Sequence, residues 1–157
     1  MNFKNLIIIF IVSFIFGETW EGYTIFTPCC YGTYGASTHL LDTQGEIVHT
    51  WEHNEGPASM PYLRADSSIV YPHRVWHPTM EAGGVGGGIQ IISWDGTILW
   101  DYLLSNINFQ HHHDIQPLPN GNILAIAWEA KTASEAYALG RQVIDNPLNQ
   151  MWSEVIF

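Results

Sequence analysis

Five of the eight histidines in this 157-residue chain fall in two clusters, and these are the side chains best suited to chemistry. His111-His112-His113-Asp114 places three imidazoles beside a carboxylate. An imidazole, with an ordinary pKa of about 6.5, acts as nucleophile or general acid–base at neutral pH, and a neighbour such as Asp114 can fix its tautomer. On an extended strand successive side chains alternate, so His111 and His113 are expected on one face and His112 on the other. A contiguous triplet cannot converge on one ion while extended, so metal binding is the weaker reading and no metal is assigned. A buried, hydrogen-bonded imidazole with its neighbours in a loop is the plainer alternative. The second cluster is Tyr71-Pro72-His73-Arg74-Val75-Trp76-His77. Arg74 can fork onto a sulfate, phosphate or carboxylate oxygen, or form no more than a surface ion pair.

The composition describes the scaffold that must position these groups. Hydrophobic residues make up 46%, aromatic residues 13% and charged residues 13%. Disordered tails are poorer in aromatics and richer in charge, and a coiled coil needs abundant Glu and Lys. Five Lys and Arg against fifteen Asp and Glu give a net charge of −10, which excludes a phosphate-binding surface for nucleic acid. With 14 Gly, 8 Pro and 7 Trp, the chain reads as all-β, short strands joined by turns.

Residues 1–17 read as a secretory signal peptide: Lys4, an apolar run over 6–16 broken by Ser13, then Gly17 before Glu18. The run is short for a membrane span, so no stable insertion is expected after cleavage; retention as an N-terminal anchor is the alternative. Loss of Lys4 leaves Arg64, Arg74, Lys131 and Arg141 against fifteen acids, a net −11. Cys29 and Cys30 are adjacent, and neighbours bridge only through a strained ring. Pairing with cysteines elsewhere stays open, and the spacing does not suit zinc.

The strand pattern occurs twice. Leu40-Leu41-Asp42-Thr43-Gln44-Gly45-Glu46-Ile47-Val48-His49-Thr50-Trp51 reads as strand, turn, strand, and Ile91-Ile92-Ser93-Trp94-Asp95-Gly96-Thr97-Ile98-Leu99-Trp100 repeats it 51 positions later. Asp95-Gly96 suits a type I′ turn, and Asp42 is taken as its counterpart. A second hairpin follows each: 62–71 around Ala65-Asp66-Ser67-Ser68, and 114–128 around Asn120-Gly121. Four short strands in about 50 residues match one blade of a β-propeller. The expected organisation is an entering segment 18–38 and a partial propeller 39–157, with blade-like units at 39–80 and 88–130. An insertion follows at 131–150, and residues 151–157 start a further blade. The chain is therefore expected to be the N-terminal part of a longer protein. The alternative is an independent small sandwich, against which its unpaired apolar last strand counts. The glycine-rich 81–88 is not followed by a helix, so it suits close backbone packing or a tight loop, not a phosphate loop. Residues 131–143 are the one expected helix, capped by Thr132 or Ser134, with an ordered loop as the alternative. Trp51, Trp94, Trp100 and Trp128 are expected to pack between blades.

In Gly22-Tyr23-Thr24-Ile25-Phe26, the 40–51 strand pair, Trp94-Asp95-Gly96, His112-His113-Asp114-Ile115-Gln116-Pro117-Leu118-Pro119-Asn120-Gly121-Asn122-Ile123-Leu124 and Ala127-Trp128-Glu129, the chain resembles the arylsulfotransferase family. The resemblance implies a six-bladed propeller exported to the periplasm or beyond. It also implies transfer of a sulfuryl group from an aryl sulfate to a phenol through a sulfohistidine, with no cofactor and possible self-association. His112 and His113 would then serve in sulfuryl binding or acid–base roles, with Asp114 and Arg74 as substrate-binding candidates. The family's covalent histidine would lie beyond Phe157, so these 157 residues alone should be inactive. The competing reading is a non-catalytic secreted propeller that binds a ligand or protein partner. A quinone-dependent dehydrogenase propeller is weaker, for want of a repeated tryptophan docking motif.

Overall fold

The computed structural model describes residues 21–28 and 36–157; the expected leader and Cys29-Cys30 lie outside them. Among these residues ten strands and one helix are formed: β1 (Thr24–Phe26), β2 (Ala36–Leu41), β3 (Ile47–His53), β4 (Tyr62–Leu63), β5 (Ile69–Arg74), β6 (Gly87–Ile92), β7 (Ile98–Leu103), β8 (Phe109–Pro117), β9 (Ile123–Thr132), α1 (Ala133–Ala138) and β10 (Gln150–Ile156). The chain is mostly β, as its composition implies. Three small antiparallel sheets have the orders β1-β2-β3, β4-β5-β6-β7 and β10-β9-β8. Every strand pair that the repeat suggests is present, yet the middle sheet groups them one hairpin out of phase with the sequence units. It joins the second hairpin of one repeat to the first hairpin of the next.

The hairpin turns share one geometry. In residues 93–96, Gly96 N–H donates to the Ser93 carbonyl and Ser93 N–H to the Thr97 carbonyl. The turns at 42–45, 64–67 and 118–121 repeat this pattern, and the fourth residue of each has positive φ: Gly45 82°, Ser67 64°, Gly96 86°, Gly121 88°. A type I turn followed by one left-handed residue fits this pattern, whereas type I′ needs two. Asp95 does not take positive φ. It instead accepts hydrogen bonds from Ser93 Oγ and the Thr97 amide. Asp42 opens its turn, so its counterpart is Ser93, not Asp95.

Alternation on β5 explains how the sheets pack. Ile69 and Tyr71 pack with Leu40, Trp51 and Ile92 against the first sheet. Val70 points the other way, joining Ile89, Leu104, Ile115, Ala125 and Ala127 against the third. The middle sheet therefore buries apolar side chains on both faces. Trp51 is buried and donates its indole N–H to the Ser93 carbonyl, and Trp94 packs edge-on against it. These two rings join the first and second sheets. Trp128 is buried beside Met80 and Val85. Trp100 is instead exposed, stacked on Tyr102 along β7, whose residues are all exposed.

The helix is shorter than its sequence suggests. Thr132 caps it in a capping box with Glu135, and Gly140, at φ 98°, follows its end. Among the described residues no helix is long and apolar enough to cross a membrane.

Candidate functional site

The histidine segment does not alternate as a regular strand would. In β8, His111 pairs with Ala127 and Ile115 with Ala125, so residues 112–114 bulge out opposite Ile126 alone. His113 sits at φ 54°, a left-handed conformation that costs a non-glycine residue on the order of 1–2 kcal/mol. The bulge buries His111 and His112 and exposes His113.

The glycine-rich stretch is the pad on which these rings rest. A Cβ on Gly84, Gly86 or Gly88 would fall 2.3 Å, 2.4 Å or 2.1 Å from the imidazoles of His113, His111 and His73 respectively. Backbone bonds fix this contact: His113 N–H donates to the Gly84 carbonyl and Gly86 N–H to the His111 carbonyl. Close backbone packing, one of the two expectations for this stretch, is what occurs.

Two buried imidazoles, His111 and His53, are held neutral by burial. His111 Nδ1 accepts the Gly87 amide at 3.0 Å, which leaves its proton on Nε2, buried and without a partner among the described residues. Burial, chiefly, lowers its pKa to about 4. His53 is likewise lowered to about 4 by burial; it meets Thr38 Oγ1 at 2.7 Å and lies on Tyr71, whose own hydroxyl burial pushes up. His73 donates Nδ1–H to the Arg74 carbonyl at 3.0 Å.

His112 has three neighbours. Its ring stacks on Trp128, centroids 4.2 Å apart; its Nε2 lies 2.7 Å from Glu154 Oε2; and its Nδ1 lies 2.8 Å from His113 Nδ1. Burial lowers its pKa, partly offset by the hydrogen bond to Glu154. Glu154 comes from β10, which places it opposite Trp128.

Asp114 does not orient His113, as their adjacency suggests. Its carboxylate accepts from Ser59 Oγ at 2.7 Å, from the Tyr62 hydroxyl at 3.0 and 3.1 Å, and from the Ile115 amide. Desolvation first, then its own hydrogen bond to Asp114 and the nearby carboxylate charge, raise the Tyr62 pKa. His113 and Asp114 line a cleft of about 430 Å³ whose other walls are Phe26, Thr27, Pro57, Ala58, Ser59 and Met60. His112 stands behind His113, outside the cleft lining. Arg74 ends β5, is exposed, and forms no ion pair among the described residues. Its backbone amide bonds the Gly56 carbonyl, but its side chain is not part of the cleft wall. Among the described residues no three His, Cys, Asp or Glu side chains are arranged to hold a metal.

Glu154 is the participant that sequence reading misses. A lone charge in the run Met151-Trp152-Ser153-Glu154-Val155-Ile156-Phe157 is a signal, but only the β9–β10 register connects it to His112. Comparison with protein-family models, with curated proteins and with solved structures finds no match to this chain.

Proposed function

We propose that the chain is the N-terminal part of an exported aryl-sulfate sulfotransferase whose sheets are consecutive propeller blades. The observation that carries this reading is an exposed imidazole, His113, braced from behind by His112 and opening into a cleft with apolar walls. Phe26, Pro57 and Met60 suit an aromatic ring, and about 430 Å³ lies within the range of small-molecule sites. The burial of both faces of the middle sheet and its half-unit phase shift support blades that stack on neighbours.

In the reaction, an imidazole nitrogen attacks the sulfur of an aryl sulfate, the S–O bond breaks and the aryl oxide leaves with the electron pair of that bond. A phenol then gives up its hydroxyl proton, its oxygen attacks the sulfohistidine sulfur, and the N–S electron pair returns to the imidazole. His113 is assigned the proton transfer at the phenol, with His112 behind it; neither is assigned the covalent step. Aryl sulfates and phenols are the substrate classes, with no cofactor. Replacing His112 and His113 together in the complete protein tests this. A fall of about a hundredfold or more in aryl-sulfate turnover, with the far-ultraviolet circular dichroism unchanged, supports the enzyme. Unchanged turnover overturns the assignment, and ligand binding without turnover identifies a binding propeller instead.

A further inference from the structure

We propose that Glu154 is a positioning residue that, through His112, holds His113 as its Nδ1–H tautomer, so that His113 Nε2 faces the cleft as a proton acceptor. An ionised carboxylate has no hydrogen to give, so the 2.7 Å contact between Glu154 Oε2 and His112 Nε2 requires the proton on His112 Nε2. A neutral imidazole carries one N–H, so His112 Nδ1 is then a bare lone pair. His113 Nδ1 lies 2.8 Å away and must supply the hydrogen between them. With its proton committed there, a neutral His113 has its lone pair on Nε2. Burial of the His112 ring, which disfavours a second proton, keeps this chain of donors in one direction.

The placement is built by strand pairing. β9 and β10 are neighbours, and Glu154 pairs with Trp128 in register. Trp128 fixes the plane of the His112 ring by stacking at 19°, while Glu154 fixes its edge. Without the carboxylate, stacking alone leaves both tautomers of His112 open, and His113 would follow whichever is chosen.

The consequence for ligand choice rests on the sulfuryl-transfer reading. His113 Nε2, so held, and the Asp114 carboxylate are both acceptors, and among the described residues no Lys or Arg lines the cleft. The cleft therefore takes a hydroxyl donor in preference to a sulfate anion, which Asp114 repels. It is the acceptor half of the reaction that His113 serves.

The test is nuclear magnetic resonance of the complete protein with ¹⁵N-labelled histidine at pH 8, where His112 is neutral. Long-range ¹⁵N–¹H couplings distinguish the two tautomers. The wild type should show His113 protonated on Nδ1. Glu154→Gln should retain that form, because an amide oxygen still accepts from His112 Nε2. Glu154→Met should shift His113 toward the Nε2–H form and lower kcat roughly ten- to a hundredfold with KM little changed. A wild-type His113 protonated on Nε2, or a tautomer unmoved in Glu154→Met, overturns the proposal. The wild-type spectrum needs no variant to fold. If the tautomers behave as expected and no transfer occurs, the proposed function falls while the relay stands; transfer with the opposite tautomer has the reverse meaning.

Discussion

Gly86 lies against His111 so closely that a methyl group in place of its hydrogen would sit 2.4 Å from the ring's Nδ1. Gly86 has no positive φ, so the contact, not the backbone conformation, excludes a side chain there. Gly86→Ala should therefore destabilise the fold by about 1–3 kcal/mol through overpacking. Gly83, three residues earlier, has open space at the same distance, and Gly83→Ala should be neutral or slightly stabilising. Urea unfolding of the two variants checks both; equal stabilities would show that the glycine pad does not hold the imidazoles.

The four equivalent hairpin turns make a second comparison. Ser67 occupies, at φ 64°, the position that glycine fills in the other three. Ser67→Gly should raise stability by about 1 kcal/mol, and Gly96→Ser should lower it by a similar amount. Thermal or urea midpoints moving in the same direction in both variants would refute the shared turn geometry.

Buried neutral histidines imply acid sensitivity. His53 and His111 have folded-state pKa values of about 4, against 6.5 in the unfolded chain. Above pH 6.5 neither state binds protons there. Between 6.5 and 4 the unfolded state binds more, so stability falls as pH drops through that window and levels off below it. The loss is on the order of 3 kcal/mol per imidazole when complete. Urea unfolding should give a nearly level stability from pH 7.5 to about 6.5 and a steady decline from there to pH 5, in a range above that of the exposed, hydrogen-bonded Asp66 and Asp95, whose pKa values are lowered. A flat profile would mean that these rings are not held neutral by burial.

Strands, turns and the short helix are legible in the sequence because each rests on local signals: Gly96 at a turn, Thr132 at a cap, the short β-branched and aromatic run Ile69-Val70-Tyr71. The grouping into sheets is not, since strand pairing is a long-range choice and the hairpin unit reads equally well in either phase. The site divides in the same way. His113 and Asp114 are identifiable by type, and both reach the cleft. What orients His113 is invisible locally: a bulge of residues 112–114 breaks the period-two alternation, and the carboxylate comes from Glu154, 42 positions beyond His112, instead of the adjacent Asp114.

The most direct test of the functional account is sulfuryl exchange by the complete protein. With 4-nitrophenyl sulfate as donor and phenol as acceptor, mass spectrometry should detect phenyl sulfate forming as 4-nitrophenol is released. His113→Ala should slow that transfer about a hundredfold or more with the fold intact. A folded wild-type protein that forms no phenyl sulfate, or a His113→Ala variant that forms it at the wild-type rate, would contradict the account.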